Sequence, residues 1–221
     1  MADNTEKKSL FRPTLIVAGL TSLSRVVGLI RDILISNVLG VSYITDIFIV
    51  ALRIPNIFRR ITAEGAFSAA FIPMFSKKLI SNKISAIKFS EDILFMSLII
   101  MISLTSVLQI FMPFFIFFIA YGFTNDPIKY DLAINFSRIT APYILLISLS
   151  SIGIAILNSL GRYFASSLGP VIFNAVLVFI LILPINNIYS MGYLLSFGVT
   201  FSAVSYTHLR AHETGRNLVC R

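Results

Sequence analysis

Six long apolar runs constrain this chain more than any other feature of its sequence. They cover about residues 14–39, 43–75, 93–121, 134–160, 164–185 and 191–204. Most reach the ~20 residues that a spanning helix needs, and they lack the strict alternation expected of membrane strands. Only 13% of the residues are charged, about half the share found in soluble domains. The sequence therefore predicts an all-α, polytopic transmembrane helical bundle of five spans and an incomplete sixth.

The two ends of the chain differ from the apolar domain predicted over 13–204. Residues 1–12 are expected to be a cytoplasmic segment, and the first apolar run is too long for the 7–15 residues of a signal-peptide core, so we interpret it as an uncleaved span. Residues 205–221 contain both histidines and the only cysteine. They follow only about fourteen apolar residues, too few to cross. This tail resembles a translated sequencing adapter and is predicted to be foreign; the alternative is a native polar tail.

The basic residues outside the spans predict the orientation of the chain. The N-terminal segment, the second loop and the fourth loop together carry eight: Lys7, Lys8, Arg12, Lys77, Lys78, Lys83, Lys88 and Arg162. The alternate loops carry only Lys129. Cytoplasmic loops are enriched in Lys and Arg, so the N-terminus is predicted to be cytoplasmic. The net charge of +8 then needs no nucleic-acid partner.

The first span carries a polar stripe. On a helical wheel, one arc of about 120° holds Thr21, Ser24, Arg25, Gly28, Arg31 and Asp32, and the opposite arc holds Leu23, Val26, Val27, Ile30, Ile33 and Leu34. Twelve aliphatic residues in this span gain roughly 0.3–0.6 kcal/mol each on insertion, whereas three charges lose about 2.5–3.5 each. The stripe is therefore predicted to face protein or a wet cavity.

Cations exceed anions by three within the spans. Arg25, Arg31, Arg53, Arg59, Arg60 and Arg138 stand against Asp32, Asp46 and Glu64. Arginine binds phosphate oxygens through a planar fork and stays charged, so the surplus predicts an anionic ligand. The three carboxylates would hold the arginines when the site is empty, because an unpaired buried charge is costly.

Several of these groups also have an ordinary structural interpretation. Arg59 and Arg60 could extend to the membrane interface, and Arg53 could pair with Asp46 as a link within the bundle. Three groups in the later spans could simply hydrogen-bond neighbouring helices, as polar residues in membranes often do; they are Arg138, Asn158 and Asn174.

The chemistry needed for an enzyme is missing before the tail. No His or Cys precedes residue 205, which excludes zinc sites, thiol catalysis and Ser-His-Asp triads from that part. Motifs of the GxSxG, GxGxxG and phosphate-loop types are also lacking. We therefore expect neither an enzyme nor a metal or cofactor site.

Three segments of the sequence resemble a known family. They are SRVVGLIRD (24–32), TDIFIVALRIPNIFRRITAEGAFSAAFIP (45–73) and PYILLISLSSIGIAILNSLGRYFASSLGPVIFN (142–174). They are similar to the MurJ/MviN family of bacterial lipid II flippases, within the multidrug/oligosaccharidyl-lipid/polysaccharide exporter superfamily. The resemblance covers about residues 15–204. The resemblance implies a family fold of fourteen helices in two lobes. This chain would then be the first lobe, with six spans of which the sixth is truncated.

The resemblance implies a transporter of the bacterial inner membrane that serves peptidoglycan biosynthesis, and hence cell shape. It would move an undecaprenyl-diphosphate-linked precursor to the periplasmic leaflet by alternating access, driven by membrane potential or an ion gradient, alongside other components of cell-wall synthesis. The arginines would bind the diphosphate, and Arg53 stands where relatives carry lysine. The residues at the implied cavity and gate positions are Ser24, Arg25, Arg31, Asp32, Asp46, Arg59, Arg60 and Glu64.

Two other functions compete with this interpretation. A drug/cation antiporter of the same superfamily would be expected to have acidic residues in excess within the membrane, and here the sign is opposite. A non-transporting membrane scaffold would not need a charged stripe on its first span.

Overall fold

The computed structural model describes the backbone of residues 2–63, 66–161 and 163–219. It gives side-chain surroundings for 14–57, 60, 69–161, 163–164, 167–205 and 207–208. The described chain is helical and contains no strand. Its helices are α1 (Ala2–Val38), α2 (Tyr43–Ala63), α3 (Ala66–Ser81), α4 (Lys83–Ile110), α5 (Met112–Ile119), a 3₁₀ segment (Tyr121–Asn125), α6 (Pro127–Thr140), α7 (Pro142–Ser159), α8 (Tyr163–Ser167), α9 (Gly169–Ile182) and α10 (Ile188–Val219).

Four segments of the described chain are long and apolar enough to cross a membrane. They are Thr14–Val38, Lys83–Ile110, Pro127–Ser159 and Ile188–Ser205, and Gly169–Ile182 is a shorter apolar helix. The predicted polytopic helical membrane fold is therefore confirmed.

Several helices differ in extent from the predicted spans. The second run forms two helices, and the second of these, α3, continues past Phe75 to Ser81 with Pro73 inside it. Helix α4 begins at Lys83, ten residues before the predicted start, because the Asn82 side chain caps it by accepting a hydrogen bond from the Ile84 amide at 2.9 Å. Polar residues can occupy the outer turns of a spanning helix, so an apolar run marks only its centre.

The last helix is longer than its apolar run. Helix α10 begins at Ile188, and its part Ile188–Ser205 is long and apolar enough to span a membrane. The truncation of the sixth span stays a prediction. The helix also continues through the described part of the tail to Val219. The foreign origin of residues 205–221 stays a prediction.

The core lies among α2, α6, α7, α9 and α10. Phe48 of α2, Phe136 of α6, Ile144 of α7 and Leu195 of α10 are fully or almost fully buried in it. A smaller cluster joins α3, α4 and α7, where Phe71 stacks on Phe75 and Phe89. Helix α1 lies at the edge of this core, against which Leu34 and Ile35 pack, and its main contacts are with α9 and α8. Its polar stripe is therefore positioned by α9.

Candidate functional site

Helices α1 and α9 meet along the polar stripe of α1. Asn174, in the first half of α9, donates from Nδ2 to the Ser24 carbonyl oxygen at 3.0 Å and lies 3.4 Å from the Ser24 hydroxyl. A Cβ atom at Gly28, one turn further along α1, would stand 3.2 Å from the same Nδ2. The absence of a side chain at Gly28 thus allows α9 to approach α1 closely.

Arg31 lies on the same face of α1, one turn beyond Gly28. Its Nη1 donates to Asn174 Oδ1 at 2.7 Å, and its Nε and Nη2 both donate to Asp32 Oδ1, at 3.0 and 2.7 Å. The Arg31 guanidinium also lies 6.0 Å from the centre of the Phe173 ring, within the range of a cation–π contact. Its side chain is 23% exposed, so the fixed cation remains accessible.

Only one part of the predicted polar stripe packs against protein. Ser24, Gly28 and Arg31 contact α9, whereas Arg25 and Asp32 are exposed. On the helical wheel these two lie about 80–100° from Ser24, at the edge of the interface. A charged edge beside a buried contact is the arrangement expected of a helix that borders a polar cavity.

Most of the predicted apolar back of α1 is exposed, as expected of a surface that faces lipid. Leu23, Val26, Ile30 and Ile33 are all between 44 and 57% exposed. Leu34 differs, because it packs against the core.

The predicted arginines of α2 also lie on the surface. Arg53 and Arg60 are exposed, and neither forms an ion pair with a described residue. At 1.5 Å per residue, Arg53 lies about 15 Å along α2 from the α1–α2 turn and Arg31 lies about 10 Å from it along α1. The two cations are therefore at similar distances from that turn. The Arg59 side chain and Glu64 lie outside the described residues.

Asp46 has a different partner from the one considered in the sequence. Lys129 of α6 contacts the Asp46 carboxylate, with Nζ 3.2 Å from Oδ2, and also lies 4.2 Å from the centre of the Phe123 ring. Among the described residues, Asp46 forms no ion pair with Arg53. Helices α2 and α6 pack side by side, which brings Lys129 close, whereas Arg53 is two turns away along α2.

Asn174 is the site residue that sequence reasoning missed. It was considered only as one of several helix–helix hydrogen-bonding groups. The structure buries it to 8% exposure between the two helices and gives both ends of its amide a partner. The available signal was an amide placed four residues after Pro170 in an otherwise apolar run, but its partner on α1 depends on the fold.

Comparisons with known proteins agree with the resemblance. The sequence profile of the family described as lipid II flippase MurJ matches residues 35–207. The chain belongs to this family. The MurJ profile match includes Asp46, Arg53, Arg60 and Asn174 and begins after the polar stripe of α1.

Individual members of the MurJ family are similar over most of this chain. A protein named probable lipid II flippase MurJ from Rhizobium meliloti (strain 1021) is 37% identical over 86% of the chain and 37% of its own length. The lipid II flippase MurJ of Burkholderia cenocepacia is 37% identical over 77% of the chain and 33% of its own length. The probable lipid II flippase MurJ of Buchnera aphidicola subsp. Acyrthosiphon pisum is 40% identical over 77% of the chain and 34% of its own length. The chain thus spans about a third of these MurJ relatives.

Proposed function

We propose that this chain contributes the diphosphate-binding part of a lipid II flippase. In this proposal the protein moves undecaprenyl-diphosphate-linked peptidoglycan precursor from the cytoplasmic to the periplasmic leaflet of the bacterial inner membrane, with its N-terminus in the cytoplasm. It transports its cargo without covalent chemistry, alongside other components of cell-wall synthesis.

The proposal rests on the hydrogen bonding of the Arg31 guanidinium. A guanidinium has five N–H donors, and three of those of Arg31 are donated to Asp32 and Asn174. The other two N–H donors of Arg31 have no hydrogen-bond partner among the described residues, and the guanidinium is accessible and permanently charged. Such a pair of donors suits a phosphate oxygen, because arginine recognises phosphate through its planar fork.

The exposed cations of this chain favour an anionic cargo. Arg25, Arg53 and Arg60 are exposed, and of the three predicted carboxylate partners Asp46 is taken by Lys129. A diphosphate would neutralise part of this excess cation charge, which lowers the cost of enclosing the arginines when a cavity closes around the cargo. The opposite sign of charge would be needed for a drug/cation antiporter, so that alternative is not favoured.

Ligand binding can be measured on the chain itself, reconstituted in lipid nanodiscs. We expect undecaprenyl diphosphate to bind more tightly than uncharged undecaprenol. Arg31→Ala should weaken diphosphate binding by about 10-fold or more, because a hydrogen bond to a charged group contributes roughly 1.5–3 kcal/mol. Arg31→Lys should lose less, since the charge remains. Lys88→Ala is the matched control, because Lys88 is an exposed cation on α4, which packs on α3 and α7.

Transport needs a longer protein and is tested in a chimera. Residues 14–204 replace the matching part of the Burkholderia cenocepacia relative, and the chimera is expressed in cells depleted of their own flippase. We expect growth with the unchanged chimera, reduced growth with Arg31→Lys and none with Arg31→Ala. Equal, undiminished growth of both variants would overturn the role of Arg31, and a wild-type chain that does not distinguish diphosphate from undecaprenol would overturn the proposed cargo site.

A further inference from the structure

The Asn174 amide links two groups on α1 that are two turns apart. Its Nδ2 donates to the Ser24 carbonyl and its Oδ1 accepts from Arg31 Nη1. A carbonyl oxygen has two lone pairs, so the Ser24 carbonyl can accept this bond in addition to its helical one. The backbone bond to Ser24 fixes which way the amide points, and the oxygen is consequently presented to Arg31.

Packing restricts the amide further. Asn174 is 8% exposed, and Gly28 leaves only enough room for the amide beside the α1 backbone. Phe173, the preceding residue of α9, lies beside the guanidinium. One short stretch of α9 thus supplies both a hydrogen-bond acceptor and an aromatic contact to Arg31.

We propose that Asn174 is a positioning residue for Arg31, fixing the guanidinium through α9 so that two of its N–H donors are kept for a phosphate oxygen. The part that concerns phosphate rests on the proposed function. Asp32 cannot fix the orientation alone, because it is 62% exposed and adjacent to Arg31 on the same helix. Asn174 adds a second, buried anchor from another helix.

Substitutions of Asn174 can distinguish a positioning role from a role in helix packing alone. A neutral amide holds the guanidinium without cancelling its charge, whereas a carboxylate at the same place would compete with an anionic ligand. Asn174→Asp keeps an acceptor for Arg31 but loses the donor to the Ser24 carbonyl and adds a negative charge, so it should weaken diphosphate binding on both counts. Asn174→Leu, which keeps the branching of the side chain, removes both hydrogen bonds.

A double-mutant cycle in nanodiscs separates the two roles, with undecaprenyl diphosphate as the probe. Asn174→Leu should weaken binding by about 10-fold in the wild-type background, the size expected for a hydrogen bond to a charged group. In the Arg31→Ala background the same change should have an effect of less than about 2-fold, because the two residues act as a unit. An equal loss in both backgrounds would show that Asn174 only stabilises the bundle, and would overturn the proposal.

A spectroscopic measurement tests the positioning without any ligand. In protein labelled with ¹⁵N-arginine, the Nε–Hε signal of Arg31 is assigned by its loss in Arg31→Lys. We expect Asn174→Leu to shift this signal and to accelerate its exchange with solvent. Asn158→Leu is the matched control and should leave the signal unchanged, since Asn158 is an amide on α7 whose Oδ1 has no hydrogen-bond partner among the described residues.

The two measurements can fail separately. An Arg31 signal that does not respond to Asn174→Leu overturns the positioning role, whatever the ligand. A shifted signal in a chain that does not bind undecaprenyl diphosphate supports the positioning role and overturns the proposed cargo site.

Discussion

Gly28 is a point of close contact between α1 and α9. A Cβ atom there would lie 3.2 Å from Asn174 Nδ2, closer than comfortable van der Waals contact, so one side must move. Asn174 has little freedom to move, because its amide is bonded to both Ser24 and Arg31. A methyl group at Gly28 therefore displaces the amide at the expense of at least one hydrogen bond.

We predict that Gly28→Ala destabilises the protein by about 1–2 kcal/mol relative to Gly19→Ala, through overpacking and a weakened hydrogen bond. Gly19 is the matched control, because it lies on the same helix and a Cβ atom there would meet nothing within 4 Å. Alanine is also a better helix former than glycine, so Gly19→Ala should be neutral or stabilising. Thermal unfolding in detergent measures the difference, and equal melting temperatures for the two variants would contradict a close contact at Gly28.

The ion pair between Lys129 and Asp46 contributes less to stability than the close contact at Gly28. The Asp46 side chain is 60% exposed, and exposed ion pairs contribute at most about 1 kcal/mol. The Lys129 side chain is 21% exposed, and its cation–π contact with Phe123 adds roughly 0.5–2 kcal/mol. Lys129 therefore helps to align α2 with α6, while the stability of that contact comes from the buried residues around it.

At the scale of the elements, α10 shows how apolar helices pack in a membrane, where the hydrophobic effect does not drive helices together. In membranes small residues allow helices to approach closely and gain van der Waals contact. Gly192 of α10 faces the Phe136 ring of α6 and Ile44 of α2, and Gly198 faces Ile180 of α9. These two glycines thus allow α10 to pack closely against three neighbouring helices.

Gly192→Ala is predicted to destabilise this packing by about 1–3 kcal/mol, the usual cost of overfilling a packed core. Its Cβ atom would stand only 2.6 Å from the Phe136 ring, which is buried and cannot swing away. The smaller side chain in Phe136→Leu should recover part of the loss in the double variant. Melting temperatures of the single and double variants test this, with Gly122→Ala as a control at a site that is open. Strictly additive losses would mean that Gly192 and Phe136 are not in contact.

At the scale of the whole molecule, the orientation in the membrane follows from where the basic residues lie. The α3–α4 region carries four lysines, whereas the predicted loop before the fourth span carries only Lys129, in the first turn of α6. Because basic loops are retained in the cytoplasm, the turn at Asn82 is expected on the cytoplasmic side and Asn125 on the periplasmic side.

Cysteine labelling in intact cells tests this orientation, after Cys220, the only cysteine of the sequence, is replaced by serine. A membrane-impermeant maleimide should label Asn125→Cys from outside. It should label Asn82→Cys only after the inner membrane is permeabilised. Both positions are exposed, so accessibility within the protein does not bias the comparison. Labelling in the reverse order would contradict a cytoplasmic N-terminus.

The sequence by itself determined the class of fold and which residues of α1 share a face. Apolar run length is a local property and specifies spanning helices, and the periodicity of α1 specifies that Ser24, Gly28 and Arg31 share a face. Only the tertiary structure decided which groups meet on that face. The contact of Asn174 with Arg31 joins residues 143 positions apart, and the contact of Lys129 with Asp46 joins residues 83 apart. Such pairs depend on which helices become neighbours, and that is decided by the packing of the whole bundle, because no periodicity within one helix encodes the partner on another.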